Sequence, residues 1–216
     1  MSNVNFKKCV QEADIVLLTI GQNSFPINIK KAIEKGIKNY NITIVKYSDL
    51  TNEDLSQSNL LGNSYEENGK YYIEYNDQLF SEGRRRFTIC HELGHILLGH
   101  NLKLKDDKVQ EREADIFAAE LLMPEAIIQE VVKRGYSIQN QNRLENVFKA
   151  SKQAYDIRLE EFGRYPDWYI KSMDTSSIML QFNGFLNEAF PNKRKHDYYD
   201  VDEQEAEERA RDAWRR

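Results

Sequence analysis

Residues 91–95 read His-Glu-Leu-Gly-His. Positions i and i+4 of an α-helix lie one turn apart on one face. His91 and His95 therefore point the same way, close enough for both imidazoles to reach one cation at about 2.0–2.1 Å. Glu92 is rotated about 100° from His91. It is badly placed to bind the same ion and well placed to reach a water held on it. Two imidazole ligands and a carboxylate base are what a hydrolytic zinc site needs. Five residues are a short signal, so the reading requires a third ligand.

Two extended forms of the motif can be tested. One needs Gly three residues after the second His and a further His three beyond that; Leu98 and Asn101 stand there, so this form is absent. His100 follows Gly99 and is expected on the surface or capping carbonyls at the helix end. The other form takes a Glu from a second helix, and EREADIFAAELLMP (111–124) offers Glu111 and Glu113. With Glu111 at zero on a helical wheel, Asp115, Ala118 and Leu122 fall within about 40° of it, whereas Glu113 and Glu120 lie near 180°. The face carrying Glu111 is small and apolar except for two carboxylates. Carboxylates on such a face cost several kcal/mol unless paired or metal-bound. Glu111 is therefore the expected third ligand. Asp115, one turn on, is placed to accept the free N–H of a ligand imidazole, His91, and so fix its tautomer. Two nitrogens and one oxygen suit Zn²⁺.

These side chains need elements to hold them. Ser81 caps a predicted helix that runs to Leu98, with Gly99 as its stop, and a second helix spans about 108–122 before Pro124. The alternating β-branched run at 42–47 reads as a strand. Asn68-Gly69 marks a hairpin whose second strand covers about 70–75. Upstream, helices are expected over 3–20 and from Ser24/Pro26 to Gly36. Downstream, RLENVFKASKQAYDIRLEEFG reads as helix, turn, helix with Ser151 as a cap, and DTSSIMLQFNGFLNEAF as a further helix. From Pro191 onward the chain is highly charged, with a frayed helix expected at 202–215 and Trp214 its one residue in need of a surface.

Composition limits the function classes. The formal net charge of −5 lacks the basic footprint of a nucleic-acid binder. The helix pair in the last third mixes Arg143, Lys149, Lys152 and Arg158 with Glu145, Asp156, Glu160 and Glu161, leaving no clean phosphate-binding stripe. Cys9 and Cys90 match no zinc-knuckle spacing and read as reduced core thiols. The apolar run IVLLTIG is too short to span a bilayer, and no signal peptide precedes it. A soluble, cytoplasmic protein is expected, with no membrane and no direct nucleic-acid partner.

RRRFTICHELGHILLGH followed by EREADIFAAELLMPE resembles the ImmA/IrrE family of metallopeptidases. The resemblance extends upstream through NITIVKYSDL and NGKYYIEYND and downstream into LENVFKASKQAYDIRLEEFG, covering roughly residues 25–163. It implies His91, His95 and Glu111 as ligands of one zinc ion with a bound water, and Glu92 as the catalytic base. Asp115 stands where many members carry Asn; either accepts from imidazole. The implied fold is α+β: a minimal zincin-like core, in which an active-site helix and a second ligand helix lie under a short β-sheet, plus a helical C-terminal region. The expected organisation is a metallopeptidase domain at 1–135, a helix-turn-helix-like region at 136–190 and a charged tail at 191–216. Members of the family cut helix-turn-helix repressors and release genes of mobile elements or stress responses, so such a repressor is the expected partner. The alternatives are a regulator that binds a repressor or DNA without cutting, and a toxin- or defence-type protease with another target.

The group that would stabilise the oxyanion stays open among Tyr72, Tyr75, Arg86 and a residue of the C-terminal third. The run YYIEY is either an edge strand that pairs with substrate or an ordinary half-buried strand. The triple Arg84-Arg85-Arg86 is either an acidic-substrate contact or a solvated helix face with one member salt-bridged inside.

Overall fold

The computed structural model describes residues 4–37, 40–50, 61–79, 81–104, 107–162 and 175–193. The expected helix at 202–215, including Trp214, lies outside them. Asn5 begins α1 (Phe6–Ile20) by accepting the Lys8 N–H, three residues later than the apolar spacing predicted. α1 buries Cys9, Val10, Ala13, Val16, Leu17 and Ile20. Asn28 caps α2 (Ile29–Gly36), so Pro26 sits ahead of the helix rather than in its first turn.

Three strands follow: β1 (Ile42–Lys46), β2 (Gly62–Glu67) and β3 (Lys70–Tyr75). Asn68 and Gly69 both adopt positive φ, 51° and 75°, the twist that closes a two-residue hairpin between β2 and β3. β1 pairs with β3 in parallel, Ile44 opposite Ile73, and β2 pairs with β3 antiparallel, Ser64 opposite Ile73. The order is therefore β1-β3-β2. The YYIEY run, considered as an edge, is the central strand; the edges are β1 and β2.

One face of the sheet lies on α3 (Glu82–Leu98), which Ser81 caps and Gly99 ends at φ 71°. Asp107 caps α4 (Lys108–Leu122) by accepting the N–H groups of Val109 and Gln110. Pro124 ends α4 and also occupies the N-cap of α5 (Glu125–Lys133), a helix that the sequence pattern did not separate. α6 (Gln141–Phe148) and α7 (Lys152–Glu161) form the expected helix pair, joined through Lys149 at φ 50° and capped again at Ser151. α8 (Thr175–Ala189) closes the described chain.

α3 and α4 cross at the centre, with α1 laid against α4. Leu93, Ile96, Phe117 and Leu121 are fully or nearly fully buried there, as is Cys90. A second cluster of rings joins α6 and α8 to the segment before α2: Phe25 lies 4.8 Å from Phe148 and 4.6 Å from Phe182. Gln181 of α8 donates to the carbonyls of Leu17 and Gln22, tying it to the end of α1. Among the described residues no helix is long and apolar enough to cross a membrane.

Candidate metal centre

α3 delivers His91 and His95 to one spot, and α4 delivers Glu111 to the same spot. The helices approach closely because Gly94 presents no side chain at the crossing. A Cβ there would lie 3.0 Å from Phe117 Cδ1 and 3.2 Å from Ala114 Cα. His91 Nε2 is 3.1 Å from His95 Nε2 and 3.2 Å from Glu111 Oε2, and His95 Nε2 is 3.4 Å from Glu111 Oε1. Three ligands bound at 2.0–2.1 Å in a tetrahedron stand about 3.3–3.4 Å apart. The three side chains already hold that triangle, and they are the one group of His, Cys, Asp or Glu able to hold a metal ion among the described residues. Three protein donors leave a fourth position of the tetrahedron for solvent or substrate, the pattern of catalytic rather than structural zinc. The residues fit the ion.

Asp115 Oδ1 lies 2.9 Å from His91 Nδ1. A carboxylate only accepts, so Nδ1 carries the proton and Nε2 keeps its lone pair toward the site. The local field favours a cation. Burial alone would depress His91, but its hydrogen bonds to Asp115 and Glu111 outweigh this and push it up to about 9. The hydrogen bond from His91 keeps Glu111 below the ordinary carboxylate range. Burial and the neighbouring charge of His91 push His95 down to about 4. The two carboxylates thus favour positive charge at His91 Nε2, which either a proton or a metal ion can supply, while burial keeps His95 neutral.

Glu92 lines the same cleft, about 190 Å³ in volume, with Gly62, Asn63 and Ser64 of β2 and with Asn101, Leu102 and Leu104 beyond α3. The buried hydroxyl of Ser64 donates to Glu92 Oε2 at 2.7 Å. β2 comes this close because residue 62 lacks a side chain: a Cβ would meet Thr88 Cγ2 at 2.4 Å, Glu74 O at 3.1 Å and Glu92 Cγ at 3.3 Å. Thr88 is β-branched and buried, so it has little freedom to move aside. Gly62→Ala is expected to lift β2 from α3 and cost about 1–3 kcal/mol, the range for forced overpacking. Denaturant unfolding measures this; an unchanged midpoint would show that the contact yields freely.

Other residues singled out in the sequence lie elsewhere. Arg86 donates to the carbonyls of Lys149 (3.1 Å) and Ile27 (2.9 Å), bracing α3 against two loops rather than facing the cleft. Arg85 donates to the Leu79 carbonyl, and Arg84 is exposed. Two members of the triple are therefore tied down by backbone carbonyls rather than by a salt bridge, and the third faces solvent. Tyr72 stacks on Tyr65 with centroids 5.1 Å apart, and Tyr75 lines a separate groove with Ile33, Ile44 and Ile89. Neither ring lines the cleft. His100 is not a surface residue: its side chain is 5% exposed, between His95 and Glu113. Glu113 does project from the far side of α4, but that side is covered by His100 and the start of α1. Ser64, Gly62 and His100 carried no sequence signal of a role, because each acts through a neighbour distant in the chain or beyond a helix end.

A model of the IrrE N-terminal-like domain, the peptidase M78 family, matches residues 47–160, just over half of the chain. The match spans all four residues of the cleft considered above, His91, Glu92, His95 and Glu111. No curated protein matches the chain.

Proposed function

The chain belongs to the peptidase M78 family, and from that premise we propose that it is a zinc-dependent endopeptidase that cuts a helix-turn-helix transcriptional repressor. The observation that carries the proposal is the triangle of His91 Nε2, His95 Nε2 and a Glu111 carboxylate oxygen at 3.1–3.4 Å beside a second carboxylate, Glu92. Zinc held by those three residues supplies Lewis acidity, polarising a scissile carbonyl and acidifying water. Glu92 takes the proton of the attacking water and returns it to the leaving amine. Ser64 holds the Glu92 carboxylate in place for both transfers, and Asp115 keeps His91 in its ligand tautomer. β2, the outer strand on the cleft side, offers backbone N–H and C=O groups to an extended peptide, placing a bond over Glu92.

The test is incubation of the purified protein with a candidate helix-turn-helix repressor, such as one encoded by an adjacent gene, with and without a zinc chelator. A single chelator-sensitive cut, located by mass spectrometry, is the expected result. A stable complex with the repressor intact would instead identify a regulator that does not cut. Neither cutting nor binding would direct the search to another protein target.

A further inference from the structure

His95 has two ring nitrogens, and the metal reading uses one. Nε2 faces His91 and Glu111. Nδ1 faces the other way, 3.0 Å from Nδ1 of His100. His100 Nε2 lies 3.0 Å from Glu113 Oε2, and Glu113 Oε1 accepts the backbone N–H of Asn5 at 2.6 Å. The His100 side chain is 5% exposed and that of Glu113 15%, so the middle of this row is shielded from bulk solvent, while its far end at Asn5 is exposed.

With both imidazoles neutral, the donors and acceptors can be assigned in one order. An ionised Glu113 only accepts, so His100 donates from Nε2. A neutral imidazole protonated at Nε2 has a bare Nδ1, which accepts. His95 must then donate from its own Nδ1, leaving the Nε2 lone pair toward Glu111. The row therefore imposes on His95 the tautomer that a metal ligand requires, as Asp115 does for His91 in one step. The backbone holds the row in place. Gly99 turns the chain in the left-handed conformation, and the His100 N–H bonds to the His95 carbonyl at 3.0 Å, folding residue 100 back beneath the last turn of α3. At the far end, the Asn5 N–H locks Glu113 to the start of α1.

We propose that His100 and Glu113 are positioning residues for His95, setting its tautomer and ring orientation and so the affinity of the centre for its ion. The proposal rests on the metal reading of His91, His95 and Glu111, and its test separates the two. Full-length wild type and the variants His100→Phe, His100→Asn, Glu113→Ala and Glu113→Gln are titrated with Zn²⁺ against a chromophoric chelator, and their Co²⁺ absorption spectra are recorded. His100→Phe, which fills the space without an acceptor, is expected to lose ~10–100-fold in zinc affinity and to shift the cobalt bands. His100→Asn puts an amide oxygen near the place of Nδ1 and is expected to recover most of that loss. Glu113→Ala weakens binding, whereas Glu113→Gln, whose carboxamide oxygen still accepts from His100, stays within ~3-fold of wild type. If His100→Phe does not fold, the Glu113 pair carries the same comparison. Wild-type affinity and spectrum in His100→Phe and Glu113→Ala would overturn the positioning role while leaving the metal centre intact. Failure of the wild type itself to take up one equivalent of zinc would overturn the metal reading and this proposal with it.

Discussion

Glu92→Gln is expected to retain zinc and to lose cleavage by on the order of 10²–10⁴-fold, the contribution typical of a positioned proton-transfer group. The two halves of this expectation come from different observations. Retention follows because the three donor atoms belong to His91, His95 and Glu111. Loss follows because a carboxamide cannot take the proton from water. The substitution leaves the local packing unchanged in shape: the Ser64 hydroxyl can donate to the amide oxygen as it does to Glu92 Oε2. Zinc content by elemental analysis and cleavage of the partner by gel or mass spectrometry measure the two halves separately. A variant that cuts at the wild-type rate removes Glu92 from the proposed mechanism. One that loses its zinc would mean that Glu92 supports the ion itself.

Arg158→Met is expected to cost the largest amount of stability, about 3–5 kcal/mol, the range for breaking a buried ion pair from one side. Arg158, on α7, is 2% exposed, and its guanidinium bonds Glu120 Oε2 at 2.5 Å and Glu125 Oε2 at 2.9 Å, carboxylates of α4 and α5. Glu120 also accepts the Glu125 N–H, so one side chain holds both sides of the Pro124 break. Burial raises the Glu120 carboxyl above the ordinary range even with Arg158 beside it, so desolvation outweighs attraction there. The arrangement therefore stabilises little relative to an apolar core of the same volume, but removing the cation alone strands two carboxylates. Denaturant unfolding should show the loss, with a melting decrease on the order of 10 °C. Adding Glu120→Gln to Arg158→Met should recover part of it, since the amide oxygen still accepts the Glu125 N–H. A loss under about 1 kcal/mol would refute the account. The consequence reaches the centre, because α4 carries Glu111 and Asp115, and α7 clamps α4 a second time through Arg112 with Glu160 and Glu161.

Most of the centre was legible in the chain itself, since its logic is local. His91 and His95 share a helix and are one turn apart whatever surrounds them. Glu111 and Glu113 are separated by helical phase alone, and in the fold Glu111 meets the histidines while Asp115 meets His91. Caps at Ser81, Asn68-Gly69 and Ser151 are likewise short-range chemistry, and they set α3, the hairpin and α7 where expected.

What only the tertiary structure decided is which element covers each face and which strand lies at the edge. A helical wheel shows that Glu113 points away from Glu111, but it cannot show that α1 and the turn after Gly99 bury that side and set His100 against His95. Alternation marks β3 as a strand equally well at an edge or in the middle. Its central place follows from the parallel return of β1 to one side and the hairpin to the other, pairings made across the chain. Arg86 reads as charge, yet its partners are carbonyls at residues 27 and 149. Periodicity and capping act over a single turn of chain, so they specify what a face is made of; the choice of what packs on it is made by contacts between segments far apart in sequence, and no local pattern records it.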